Sequence, residues 1–294
     1  APMKYKSKMK DVYKAAGIPT ARYRQVDDYL ATKAFANRVG YPVIVKPDNG
    51  VGATSTYKLS NDDELDYFFA TKDSHIHFII EEMVPGHVET FDGITDKDKN
   101  ILIATSHVML NSIMDNVNEA SDTAFYSQPV EGLDLYDIGK KAVEAFDTRS
   151  RFFHFEFFRL DEDKEGLGKK GDIVGLEVNM RAPGAYMPDM MNFAYNVDVY
   201  TIWADMVKYN KCFYDIKRQY WVAYTGRRDG IWYMHNYDQI REKYGNQVAL
   251  ETDVPEALAA AMGNHVFIVK ARTQEEIFEM IRYILKREDG TDWM

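Results

Sequence analysis

The amino-acid sequence predicts an α+β fold. Helical and extended segments alternate along the chain without settling into a regular parallel βαβ series. Two strand-like runs, 152–160 and 173–180, flank a charged, glycine-bearing loop, for which an antiparallel hairpin is the simplest pairing. No fixed-period repeat and no low-complexity tract points to a solenoid or a disordered chain.

The elements follow in order. Residues 4–16 read as a helix ended by Gly17 and Pro19, and 27–39 as a second helix ended by Gly40. Tyr41-Pro42-Val43-Ile44-Val45 is a short apolar strand that runs into Lys46-Pro47 and a turn carrying Gly50 and Gly52. Residues 57–59 return as a strand. Ser60-Asn61-Asp62-Asp63-Glu64 supplies the cap and acidic first turn of a helix reaching about residue 71. A buried strand at 78–84 stops at Pro85-Gly86, and 88–94 and 101–109 pair around a turn at 96–100. Leu135, Ile138, Ala142, Val143 and Phe146 recur at helical spacing over 134–147. After the hairpin, 197–209 is helical, 266–269 a strand and 275–286 a helix.

Composition narrows the function. At 294 residues the chain is long enough for one large domain or two ordinary ones. One cysteine, Cys212, closes no intrachain bridge and reads as a buried structural thiol in a reducing compartment. No apolar run has the length of a membrane span and the basic amino terminus lacks a signal-peptide core, so the expected location is cytoplasmic. A net charge of −10 with no long basic block argues against a nucleic-acid partner, although local lysines can still hold one small polyphosphate.

Candidate chemistry starts at the hairpin, because successive side chains of a strand face opposite ways. Leu176, Val178 and Met180 share one face, and Glu177, Asn179 and Arg181 the other; Phe153, Phe155 and Phe157 are opposed by His154 and Glu156. If the polar faces coincide, Glu156, Glu177 and Asn179 form a hard-oxygen cluster suited to magnesium, and the alternative is a solvated face of ion pairs. Arg181 can brace a phosphate or carboxylate with its fork of donors. Lys46, at a strand end beside Gly50 and Gly52, can face phosphate oxygens, yet an ordinary hairpin turn explains the same residues. The segment from Glu81 through Glu82, Val84 and Glu89 is an extended hinge able to read a flat base and a ribose, although single glutamates are usually surface residues. His75 and His77 share a strand face with no third ligand and read as an exposed strand start. The aromatic group Tyr220, Trp221, Tyr224, Trp232 and Tyr233 reads by default as core, with a substrate pocket as the alternative.

Taken in order, Lys6, Lys46, the 81–89 hinge, Glu156 and Glu177-Val178-Asn179-Met180-Arg181 resemble the ATP-grasp superfamily, in its carboxylate-amine (amino-acid) ligase branch, over about residues 4–210. That resemblance implies two α+β subdomains clasping ATP, with a C-terminal α/β extension: 1–36 as the N-terminal helical part of the core, 37–82 as lid, 83–210 as catalytic subdomain and 211–294 as C-terminal subdomain. It implies Lys6 and Lys46 as phosphate-binding lysines, Gly50 and Gly52 within the glycine loop, and Glu81, Glu82 and Val84 as the adenine hinge. Glu89 becomes the ribose ligand and Glu156, Glu177 and Asn179 the ligands of magnesium, in two ions with manganese as a substitute. Arg181 and Gly184 match the Asn-x-Arg-x-x-Gly tail facing an acyl phosphate, and His154-Phe155-Glu156 is similar to the His-x-Glu of amino-acid ligases.

The sequence departs from the family at Tyr5, where Asp usually precedes the first lysine, and its loop is poorer in glycine. Family members usually begin with a further α/β domain. Its absence here predicts either a fragment or a partner chain that supplies the missing part, and a homo-oligomer is the alternative partner. The implied activity is ATP-dependent activation of a small-molecule carboxylate as an acyl phosphate, which an amine attacks to form a C–N bond with release of ADP and phosphate. The alternatives are a carbamoyl-phosphate-synthase or carboxylase-type enzyme and a non-catalytic nucleotide-binding scaffold.

Overall fold

The computed structural model describes residues 2–50, 55–110 and 121–290. Contacts divide the chain into two compact units, Ala1–Gly86 with Asp134–Thr148 and Phe155–Met180, and His87–Leu133 with Arg149–His154 and Arg181–Met294.

The first unit opens with helix α1 (Lys6–Ala15), strand β1 (Tyr23–Gln25) and helix α2 (Tyr29–Val39). Asp28 caps α2 by accepting the Ala31 N–H at 2.7 Å, and Gly40, at φ 82°, ends it where a Cβ would be strained. β2 (Val43–Pro47), β3 (Tyr57–Leu59), helix α3 (Asp62–Thr71) and β4 (Phe78–Glu82) follow, and Asn61 accepts the Glu64 N–H to start α3. All pairings in the sheet β1-β4-β2-β3 are antiparallel. Val43, Val45, Phe78 and Ile80 point to one side and pack with Phe35, Ala36, Leu65 and Phe68 of the two helices. That burial leaves the other side of β2 and β4, carrying Ile44, Lys46, Ile79 and Glu81, for a different use. Helix α4 (Asp134–Ala145), the second half of β8 (Arg151–Leu160) and β9 (Ile173–Asn179) complete the unit. The β8–β9 hairpin expected from sequence is present: the strands are hydrogen-bonded neighbours, and Leu160 and the 171–172 turn exchange backbone bonds of 2.7 and 3.0 Å.

In the second unit β5 (Gly86–Thr95) and β6 (Ile101–Met109) pair antiparallel, as expected, and Asp96 closes their turn by accepting the Asp98 and Asn100 N–H groups. β7 (Thr123–Gln128), β10 (Trp221–Arg227), β11 (Val248–Asp253) and β12 (His265–Ala271) extend the sheet in the order β11-β12-β10-β7-β6-β5, and the first half of β8 lies beside β5. Helices α5 (Met187–Tyr195) and α6 (Val199–Tyr209) pack on one face around Phe125, Tyr224 and Ile268. Helices α7 (Tyr237–Tyr244) and α9 (Gln274–Leu285) cover the other around Ala223, Phe267 and Val269; α8 (Glu256–Met262) precedes β12.

Several of these elements are absent from the sequence reading. β7 and β10 are buried on both faces, so they lack the alternation that marks a half-buried strand. α5 starts through Pro188, which reads as a breaker within a helix but is well placed in a first turn. Cys212 is half-buried at the edge of the α5–α6 core, not a fully buried thiol. The aromatic group divides: Tyr224 stacks on Phe125 at 4.7 Å in the core, whereas Trp232 is 78% exposed. No helix among the described residues is long and apolar enough to cross a membrane.

Candidate active site

In the first unit the polar face of β2–β4 meets helix α1. Lys6, Lys10 and Tyr13 stand at i, i+4 and i+7, one stripe of the helix, and all three are buried. Asp48, directly after β2, fixes the start of that helix. Its carbonyl accepts the Lys6 N–H at 2.8 Å, and its carboxylate accepts the Ser7 N–H at 2.7 Å and the Ser7 hydroxyl at 2.8 Å.

The stripe delivers two ammonium groups to two carboxylates. Lys6 Nζ donates to the Gly50 carbonyl at 2.9 Å and lies 3.6 Å from Glu177 Oε2. Lys10 Nζ lies 3.1 Å from Glu81 Oε1, and Lys46 Nζ 2.9 Å from Glu81 Oε2. Glu81 therefore sits between two cations. Burial pushes its carboxyl upward, but Lys10 and Lys46 overcome this and hold it below the ordinary glutamate value. Lys10 moves down from the ordinary lysine value because burial outweighs its attraction to Glu81, with Lys46 adding to the descent.

Glu177 has the opposite balance. Burial, then the neighbouring Glu156 carboxylate, raise its pKa, against the pull of Lys6 and Lys46. The buried Tyr13 hydroxyl is likewise driven up by burial and by both carboxylates. Two glutamates that repel each other from the two strands of a hairpin, with Asn179 on the same strand face as Glu177, form a donor set that a divalent cation would relieve. Oxygen donors of this kind fit magnesium, which takes few protein ligands and completes its shell with phosphate and water. Among the described residues no group of three or more His, Cys, Asp or Glu gathers to hold an ion.

The remaining sequence candidates are placed as follows. Glu82 points to the opposite side from Glu81, and its carboxylate accepts the Arg22 N–H at 2.7 Å, Nε at 2.9 Å and Nη2 at 2.6 Å. Its own N–H donates to the Arg22 carbonyl at 3.1 Å, so Glu82 anchors the hinge through both side chain and backbone. Val84 is buried with Ala21, Leu160 and Val174. Gly50 is exposed beside Lys6, while Gly52 lies outside the described residues. Glu89 and Arg181 belong to the second unit. Glu89 is buried, 3.4 Å from His87 Nε2, and the exposed Arg181 donates to the Ala182 carbonyl at 2.8 Å. His75 and His77 are both exposed.

Two features escaped the sequence reading. Lys10 is the first, and the i+4 spacing from Lys6 was the available signal. The second is a buried cluster in the second unit. Asp92 Oδ2 lies 2.7 Å from His107 Nδ1, its Oδ1 2.5 Å from His154 Nδ1, and the Thr90 hydroxyl donates to it. Burial pushes the Asp92 carboxyl up, but His154 and His107 hold it far below the ordinary aspartate value. His154, read from sequence as part of a His-x-Glu pair, is thus fixed by a residue 62 positions away.

Residues 5–119 match the family model of the ATP binding domain of the carbamoyl-phosphate synthase L chain. The chain is 24% identical over 210 residues to the L-arginine-specific L-amino acid ligase of Bacillus subtilis, covering 67% of this chain and 48% of that protein. It therefore spans about half the length of that curated relative. Among solved structures, L-amino acid ligase from Bacillus licheniformis superposes with a TM-score of 0.71 at 14% identity, over 98% of this chain and 71% of the other. Carboxyaminoimidazole ribonucleotide synthase from Aspergillus clavatus, complexed with ATP, does so with a TM-score of 0.68 at 15% identity, over 95% and 71%.

Proposed function

We propose that this chain is a member of the ATP-grasp superfamily and that it serves an ATP-dependent ligase that activates a carboxylate for attack by an amine. The observation that carries the proposal is the meeting of Lys6, Lys46, Glu81 and Glu177 in one unit, with Glu156 beside Glu177. A surface ion-pair face, the competing explanation, would not bury two lysines against a pair of mutually repelling glutamates.

In this reading Lys6 and Lys46 hold polyphosphate oxygens, and Gly50 lies under the same phosphates. The carbonyl of Glu82 and the N–H of Val84 read the adenine edge, and Glu89 accepts from the ribose. Glu156, Glu177 and Asn179 hold magnesium, in two ions replaceable by manganese, whose charge offsets that of the moving phosphoryl group. Arg181 orients the acceptor carboxylate with its fork of donors. The acceptor oxygen takes the γ-phosphoryl group from ATP, ADP leaves, and the amine then displaces phosphate from the acyl carbon with loss of a proton. Residues of this chain contribute positioning and charge placement; no side-chain nucleophile is needed.

A panel of carboxylate and amine pairs, each incubated with the chain, ATP and magnesium and assayed for ADP, tests the proposal. ADP release that requires both partners supports it. Release driven by bicarbonate alone would assign the chain to carboxylase-type chemistry, and ATP binding without release for any pair would leave a nucleotide-binding scaffold.

A further inference from the structure

We propose that Lys10 is a positioning residue of the nucleotide site: by sharing the charge of Glu81, it leaves the Lys46 ammonium available to an incoming polyphosphate. The inference rests on the ATP reading above and adds to it a residue that never touches the ligand.

Lys10 is 1% exposed, and its amine is committed to the protein. It lies 3.1 Å from Glu81 and donates to the Thr20 hydroxyl at 3.2 Å, and that hydroxyl in turn donates to the Gly175 carbonyl at 2.9 Å. Burying an ammonium is costly, and a methionine would fill such a helix position at lower cost. What the ammonium accomplishes is visible at Glu81. Its carboxylate contacts Lys10 through one oxygen and Lys46 through the other, so neither lysine has it alone.

The three groups together keep one net positive charge on a buried sheet face. Without Lys10, Glu81 and Lys46 would form a closed one-to-one pair with no net charge. A phosphate would then have to compete with a buried carboxylate for Lys46. Glu81 still has a purpose, because two ammonium groups facing each other without it would repel, and Lys46 already acts to lower the Lys10 pKa. The trio therefore holds Lys46 in place while keeping its charge only half claimed.

The test is a titration of the full chain and its variants with ATP and magnesium, read as nucleotide affinity alongside a thermal melt, with KM for ATP and kcat where ADP release is measurable. Lys10→Met should weaken ATP binding by about tenfold or more and raise KM more than it lowers kcat. Removing the competing carboxylate as well, in Lys10→Met/Glu81→Gln, should recover affinity to within about threefold of the unsubstituted chain, because Glu81 then no longer claims Lys46. A purely structural role for Lys10 predicts a lowered melting temperature with no such rescue. Unchanged affinity in a folded Lys10→Met chain, or a double variant as weak as the single one, overturns the inference while leaving the nucleotide site standing. Failure of the unsubstituted chain to bind ATP overturns both.

Discussion

Replacing Glu177 with glutamine separates metal binding from folding, because the charges around it oppose one another. Lys6 is 3.6 Å away, and with an effective dielectric near 20 that attraction is about 4–5 kcal/mol gross. Against it stand repulsion from Glu156 and the desolvation of a carboxylate only 14% exposed, and the raised pKa shows that these two win. The ionised form is thus less favourable here than in water, so a neutral isostere changes stability by no more than about 1 kcal/mol, in either direction. The pH sign follows. A carboxyl raised in the folded state contributes stability below the ordinary glutamate value and loses it as pH rises through the raised value, and Glu177→Gln should remove that slope. Function should respond far more strongly, since losing a charged metal ligand costs on the order of a hundredfold or more in metal-dependent turnover. The assay is ADP release across a magnesium titration, paired with a thermal melt at neutral pH. Full turnover with an unchanged magnesium dependence would refute the metal assignment, and a collapse of the melting temperature would refute the charge analysis.

Three other outcomes follow from the packing. A Cβ at Gly175 would lie 2.9–3.0 Å from three ring atoms of Tyr13, so Gly175→Ala should cost about 1–3 kcal/mol, read in a denaturant melt. An unchanged midpoint would mean that α1 is not held against β9 as described. Arg22→Ala strips the Nε and Nη2 donors from the fully buried carboxylate of Glu82 and leaves it only the backbone N–H of residue 22; because Arg22 is itself 40% exposed, the loss should be about 2 kcal/mol, below that for a fully buried pair. Its measure is again the denaturant midpoint, and stability equal to the unsubstituted chain contradicts the anchoring role of Glu82. Finally, Asp92 is depressed in the folded state, so its stabilisation is present above about pH 4, the ordinary aspartate value, and is lost as pH falls through the lowered one. Asp92→Asn should flatten the acid limb of stability against pH, and superimposable acid unfolding curves would remove Asp92 from that account.

Local pattern carried much of this fold. The end of α2 at Gly40, the cap and acidic first turn of α3, the β5–β6 turn and the β8–β9 hairpin are set by residues adjacent in sequence, where capping and turn chemistry act over a few positions. Two-residue alternation likewise sufficed to put Glu177 and Asn179 on one strand face, and the order of the charged positions sufficed to suggest the superfamily. By contrast, β7 and β10 are strands because neighbours cover both of their faces, and that information is held by those neighbours.

The site divides along the same line. Sequence alone named Lys6, Lys46, Glu81, Glu156 and Glu177 and set Glu156 and Glu177 on polar faces. Only the tertiary structure decided which lysine meets which carboxylate, turned Glu82 away toward Arg22, brought Lys10 to Glu81 across 71 positions and tied His107 and His154 to Asp92. Alternation and helical period fix the direction a side chain leaves its own element. The partner it finds depends on which element packs opposite, and here one stripe of α1 against the polar side of β2 and β4 made that choice.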